Sequence, residues 1–180
     1  MSRFKFLSVL ILLVAWLASV ELAFPAGLSF AGVPLTSGGT VRAKVPLNDL
    51  EKSYVAEGGN PVPAYTVAVL AVPRGFDPTK PWPVLIVFSS SDHQYPNWWD
   101  LIGLYRETAL AEGWVLLSGD GPTSAPRLDS SGWRAGHALA ALEALHRSFP
   151  GSRKWPIACA GQSGGSKRAT YLAPMFAAAG

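Results

Sequence analysis

The chain carries Gly161-Gln162-Ser163-Gly164-Gly165, a serine set between glycines in the pattern G-x-S-x-G. Residues 155–160 before it read as a short apolar strand, and residues 166–173 after it read as a helix. A strand, a serine turn and a helix are the context in which this pattern makes a nucleophile elbow. The chemistry needs glycine because the serine occupies a strained backbone conformation and side chains beside it would strike the neighbouring strand and helix. Such a turn sets Ser163 at a helix N-terminus, where unpaired N–H groups and the helix dipole favour a developing oxyanion. Ser163 is thus the candidate nucleophile and the Gly164 N–H the candidate oxyanion donor. The plainer alternative is a glycine-rich turn that only joins a strand to a helix.

A phosphate-binding loop also joins a strand to a helix, but its spacing fails here. Counting from Gly161, it would need glycine at 166 and serine or threonine at 168, where this chain has Ser166 and Arg168. Lys167 then reads as a solvated residue of the first helical turn, and no G-x-G-x-x-G dinucleotide spacing is present.

The elements that must position Ser163 follow from hydrophobic patterning. Strands are expected over residues 40–45, 65–72, 84–88 and 114–118, the third being a continuous apolar run suited to burial on both faces. A helix is expected over 104–112, closed by Gly113, and a second from Ser130 or Ser131 to about Arg147. The second carries the stripe Ala135, Ala138, Leu139, Leu142 and Leu145. From residue 84 strands and helices alternate, which implies an α/β fold whose mostly parallel sheet has helices on both faces, with an antiparallel start.

With that order on the page, residues 40–180 resemble the α/β-hydrolase superfamily, closest to secreted esterases and related serine hydrolases, and the G-Q-S-G-G run is the most specific point of likeness. The resemblance implies that the loop after strand 84–88 supplies an oxyanion donor. That loop reads Ser89-Ser90-Ser91-Asp92-His93 and departs from the usual His-Gly pattern, so the donor falls to the backbone N–H of Ser91 or Asp92. The resemblance also implies a catalytic order of serine, acid, histidine. All three histidines, His93, His137 and His146, precede Ser163, so neither base nor acid can be assigned. His93 lies beside the oxyanion loop and is a non-standard candidate base. His137 and His146 read as exposed or capping residues of their helix, and Asp120 as a turn-former rather than a catalytic acid. Aromatic residues cluster over 93–99. They could line a ligand site, although Trp98 and Trp99 read more simply as anchors of the following helix. The domain is expected to be incomplete, stopping just after the elbow helix.

At the other end, Ser2-Arg3-Phe4-Lys5 and the apolar run 6–20 read as a secretory signal, with residues 1–31 as the processed segment and 32–180 as the domain. The run is short for a membrane span, so membrane contact is expected only if this segment stays uncleaved as an anchor. The protein is therefore expected to be secreted or periplasmic. Cys159, the single cysteine, excludes an internal disulfide and reads as a core thiol. Losing residues 1–31 removes two cations and one anion and takes the net charge from +3 to +2, with no basic cluster for nucleic acid. The expected partner is a small-molecule or polymer ester, with no metal or organic cofactor, and nothing in the sequence speaks to oligomeric state. The expected function is that of an exported serine hydrolase, an esterase forming an acyl-enzyme on Ser163. Its alternative is a non-catalytic hydrolase-fold binding domain or remnant that lacks the acid and histidine.

Overall fold

The computed structural model describes residues 27–90, 97–122 and 131–179. Its first elements are a small hairpin, β1 (Ser29–Phe30) and β2 (Val33–Pro34), turned by Ala31 and Gly32. Both turn residues have positive φ, 47° and 79°, the geometry of the tight turns that suit the twist of paired strands. Helix α1 (Asp49–Ala56), not anticipated from hydrophobic periodicity, begins with a capping box in which Asn48 and Glu51 each bond the other's backbone N–H.

A five-stranded sheet is built from β3 (Thr40–Pro46), β4 (Tyr65–Ala71), β5 (Val84–Phe88), β6 (Val115–Asp120) and β7 (Ile157–Gly161), in the order β3-β4-β6-β5-β7. β5 pairs in parallel with both β6 and β7, whereas β3–β4 and β4–β6 are antiparallel. The sheet is therefore mixed rather than mostly parallel. No crossover helix separates β4 from β5, so the first two strands enter as an antiparallel flank. β3 alternates exposed and buried side chains as an edge strand should, while β4 and β6 are buried almost throughout.

Helices cover both faces, as expected. On one face α4 (Ser131–Ser148) and α5 (Gly164–Ala179) bury Leu142, Leu145, Ala169 and Phe176 against Leu70, Ile86, Phe88 and Leu117. On the other face Leu101 and Ala109 pack on Val69, Val87 and Leu116. That second cover begins earlier than expected. α2 (Asn97–Asp100), a π-helical turn (Leu101–Tyr105) and α3 (Arg106–Ala111) form one broken helical stretch. Gly103 inside the stretch hides its start from a propensity argument. α5 likewise runs beyond the expected 173, through Pro174. Phe176 stacks on Phe88 with ring centroids 6.1 Å apart and holds the segment after the proline to the core.

Candidate functional site

Ser163 sits between β7 and α5 with φ +52°, a left-handed conformation that a serine adopts only where its surroundings impose it. The turn is closed by Gly165 N–H donating to the Gln162 carbonyl at 2.7 Å and Ser166 N–H donating to the Ser163 carbonyl at 3.0 Å. The Ser166 hydroxyl donates to that same carbonyl at 2.6 Å. Ser163 itself is exposed. Gly164 opens α5, so its N–H is among the first four of the helix, which have no acceptor within the helix.

The flanking glycines are required by contact. A Cβ on Gly161 would lie 2.4 Å from the Gly165 carbonyl carbon and 2.7 Å from the Phe88 carbonyl oxygen. One on Gly165 would lie 2.3 Å from the Phe88 oxygen and 2.4 Å from the Ser89 oxygen. Real carbon–oxygen contacts are never this short, so the turn is pressed onto the end of β5 and only hydrogen fits between them. The helices that follow β5 and β7 cover opposite faces of the sheet. Adjacent parallel strands of that kind form the crevice in which open α/β sheets bind ligands.

At the ends of β5 and β6 lies a buried polar cluster that the sequence reading missed. Asp120, at the end of β6, does more than form a turn: it is 1% exposed and both its oxygens are occupied. One accepts from Arg134 Nη1 and from the Asn97 N–H, each at 2.6 Å; the other accepts from the Gly121 N–H at 2.9 Å and from Trp133 Nε1 at 3.0 Å. Arg134 is buried completely, and its Nη1 also donates to Asn97 Oδ1 at 2.8 Å. The one hint in the sequence is an arginine on the Ala/Gly/Leu-rich helix 131–148, a residue almost never buried there unless paired.

The described histidines are buried, not exposed. His137 Nδ1 shares a short hydrogen bond with Thr66 Oγ1, and its Nε2 has no hydrogen-bond partner among the described residues. Burial pushes its pKa down to about 4, Asp120 opposing the shift and Arg134 adding to it. His146 Nδ1 bonds Ser152 Oγ at 2.8 Å, and its pKa too is lowered by burial and then by Arg153. Neither histidine bonds Ser163. Ser91, Asp92 and His93 lie outside the described residues, as do Gln94, Tyr95 and Pro96 of the aromatic segment. Trp98 packs in the core cluster around Val87 and Leu116, with the Arg42 guanidinium 4.5 Å from its ring centre, which fits the role of helix anchor. Cys159 is half-buried on β7, and burial pushes its thiol up to about 11, far from a reactive thiolate. Lys167 is exposed, as expected of a solvated first-turn residue. Among the described residues no helix is long and apolar enough to cross a membrane, and no three His, Cys, Asp or Glu side chains gather as metal ligands.

In fold the chain is similar to parts of solved structures. A protein described as a dipeptidyl aminopeptidase IV from Bacteroides ovatus superposes with a TM-score of 0.50 at 16% identity, covering 78% of this chain and 20% of its own. The likeness is one of fold. Porphyromonas gingivalis dipeptidyl peptidase 4 aligns over 74% of this chain and 18% of its own, at 16% identity and a TM-score of 0.45. This chain spans about a fifth of the length of either protein. No protein-family profile and no curated protein matches the sequence.

Proposed function

We propose that this chain is the nucleophile-bearing part of an exported α/β-hydrolase-type serine hydrolase, an esterase by preference, in which Ser163 forms an acyl-enzyme. The observation that carries the reading is the positive φ of Ser163 in a turn packed without clearance on β5. A turn that only joined two elements would place glycine or asparagine at that φ, because a serine there is strained for no return.

In the proposed reaction Ser163 Oγ attacks the carbonyl carbon of an ester, its proton passes to a base, and the carbonyl oxygen becomes an oxyanion. The Gly164 N–H at the start of α5 donates to that oxygen, joined by an N–H from the loop after β5, which we assign to Ser91. The alcohol then leaves with a proton, and water releases the acid. The base and its carboxylate come from outside the described residues, since His137, His146 and Asp120 are engaged elsewhere. Export rests on the charged and apolar pattern of residues 2–20.

Ser163→Ala in the full chain should abolish hydrolysis of short p-nitrophenyl esters and labelling by a fluorophosphonate, while melting stays unchanged. Retained hydrolysis would remove Ser163 from the mechanism. The second reading, a non-catalytic binding domain of the same fold, is favoured by the engagement of His137 and His146 in the interior. A wild-type chain that resists the fluorophosphonate would select it.

A further inference from the structure

The end of the sheet opposite Ser163 holds a separate cavity. β5 and β6 start there, β4 ends beside them, and the turn before β3 closes the group. The cavity has a volume of about 530 Å³ and is lined by Arg74, Trp82, Arg106, Glu107, Leu110 and Gly113, among others. Hydrogen bonds fix its walls. The Gly38 N–H donates to the Pro73 carbonyl at 3.0 Å and the Gly75 N–H to Ser37 Oγ at 2.7 Å, so the backbone on both sides of Arg74 is tied down. Trp82 Nε1 donates to the Asp77 carbonyl at 2.8 Å, and its ring lies 5.7 Å from that of Phe76. Arg106 Nε donates to Thr40 Oγ1 at 2.9 Å, which leaves its two terminal nitrogens as an open fork. Among the described residues no carboxylate pairs with Arg74 or Arg106, Glu107 included.

We propose that this cavity binds a small organic monocarboxylate with a flat apolar body, its carboxylate held by Arg74 and Arg106 and its body laid against Trp82 and Leu110. Two guanidinium groups that share one recess repel each other, and an anion between them reverses that cost. The planar fork of arginine matches the paired oxygens of a carboxylate. Charge narrows the class further: two cations and Glu107 leave a single net positive charge, which a monoanion neutralises and a phosphate dianion oversteps. Gly113, whose φ of +81° favours glycine, leaves the indole edge uncovered, since even a Cβ there would touch Trp82 at 4.0 Å. The volume falls within the range of about 300–1,000 Å³ in which pockets hold small molecules. The length of β5, about 17 Å for its five residues, separates this cavity from the elbow. The inference does not depend on Ser163 being a nucleophile.

The test titrates 2-naphthoate into the full chain by calorimetry, with neutral 2-naphthamide and dianionic 2-naphthyl phosphate for comparison. The expected result is saturable binding of one naphthoate per chain, tighter than the amide by about tenfold or more. Arg74→Gln and Arg106→Gln should each weaken naphthoate by about tenfold or more and leave the amide unchanged. Glu107→Gln, which removes the one anion of the lining, should tighten naphthoate by about two- to fivefold. Arg74 and Glu107 are exposed and Arg106 is half-buried, so the variants should melt like wild type. If Arg106→Gln, which also gives up its bond to Thr40, does not fold, Arg74→Gln decides the question. Naphthoate that fails to saturate the wild type overturns the inference. So does naphthoate that binds the folded arginine variants as it binds wild type, because the anion then sits elsewhere, the elbow included. Tighter binding of the phosphate than of the carboxylate overturns the assignment of a monocarboxylate.

Discussion

Gly165 and Phe88 meet without room for a methyl group: a Cβ on the glycine would lie 2.3 Å from the phenylalanine's carbonyl oxygen. This contact joins the turn at Ser163 to the end of the central parallel strand, and the blocking atoms are backbone, which cannot swing aside. Gly165→Ala should therefore destabilise the domain by about 3 kcal/mol or more, since one carbon must displace a buried strand or the start of α5. Urea unfolding would measure the loss. Fluorophosphonate labelling of whatever folded fraction remains should fall with it, because the displaced element carries Ser163. A variant of wild-type stability would mean that the turn does not press on β5.

The Arg134–Asp120 pair, 2.6 Å apart with side chains 0% and 1% exposed, calls for a different arithmetic. Removing either partner strands the other charge in the interior, at a cost of about 3–5 kcal/mol. Arg134→Met should lose this much, and Asp120→Asn somewhat less, because its amide oxygen still accepts. The double variant should be more stable than the sum of the two losses implies. A double-mutant cycle read by chemical denaturation checks the coupling, and strictly additive losses would show that the two charges do not depend on each other.

How much of this was legible in the sequence depends on the kind of signal. The strained turn at Ser163 was legible because its pattern encodes a backbone conformation, which local residues dictate. Strands β5, β6 and β7 announced themselves by apolar runs, and α4 by its stripe. The start of the helical stretch at Asn97 was not visible, since its reason is tertiary: Asn97 is buried to bridge two strands 8 and 22 residues away. His137 and His146 were misplaced for the same cause. A histidine on a helix reads as exposed unless the helix is buried nearly all round, and α4 is, from Gly132 to Leu142. Pairing direction was half legible, because a missing crossover helix shows where a sheet turns antiparallel but does not say how many strands follow.

The pKa of His137, pushed down to about 4 by burial, sets a pH dependence. The folded state holds the imidazole neutral, whereas the unfolded chain takes up a proton near the ordinary 6.5. Between these values the unfolded state binds more protons, so stability is fully present above pH 6.5 and is lost as pH falls toward 4. The loss is on the order of 3 kcal/mol. His146, also lowered, acts in the same direction. His137→Gln should flatten the decline in unfolding free energy between pH 7 and pH 4.5 relative to wild type. Equal slopes in the two proteins would place the proton elsewhere.

Phe30 bears on where the proposed signal segment would be cut. It is 0% exposed within the main core, Leu28 packs beside it, and the Ala31 N–H donates to Ser148 Oγ of α4 at 2.9 Å. Processing after residue 31 would remove this side chain and one strand of the β1–β2 hairpin. Phe30→Ala should cost about 3–5 kcal/mol, as expected for emptying a fully buried aromatic site. A domain that loses so much of its core keeps little net stability, because marginal stabilities are of similar size. Under the proposed export, the mature N-terminus is accordingly expected at or before Leu28, which N-terminal sequencing would read directly. A mature chain that starts at Gly32 and melts like one that retains Phe30 would show that the hairpin is dispensable to the core.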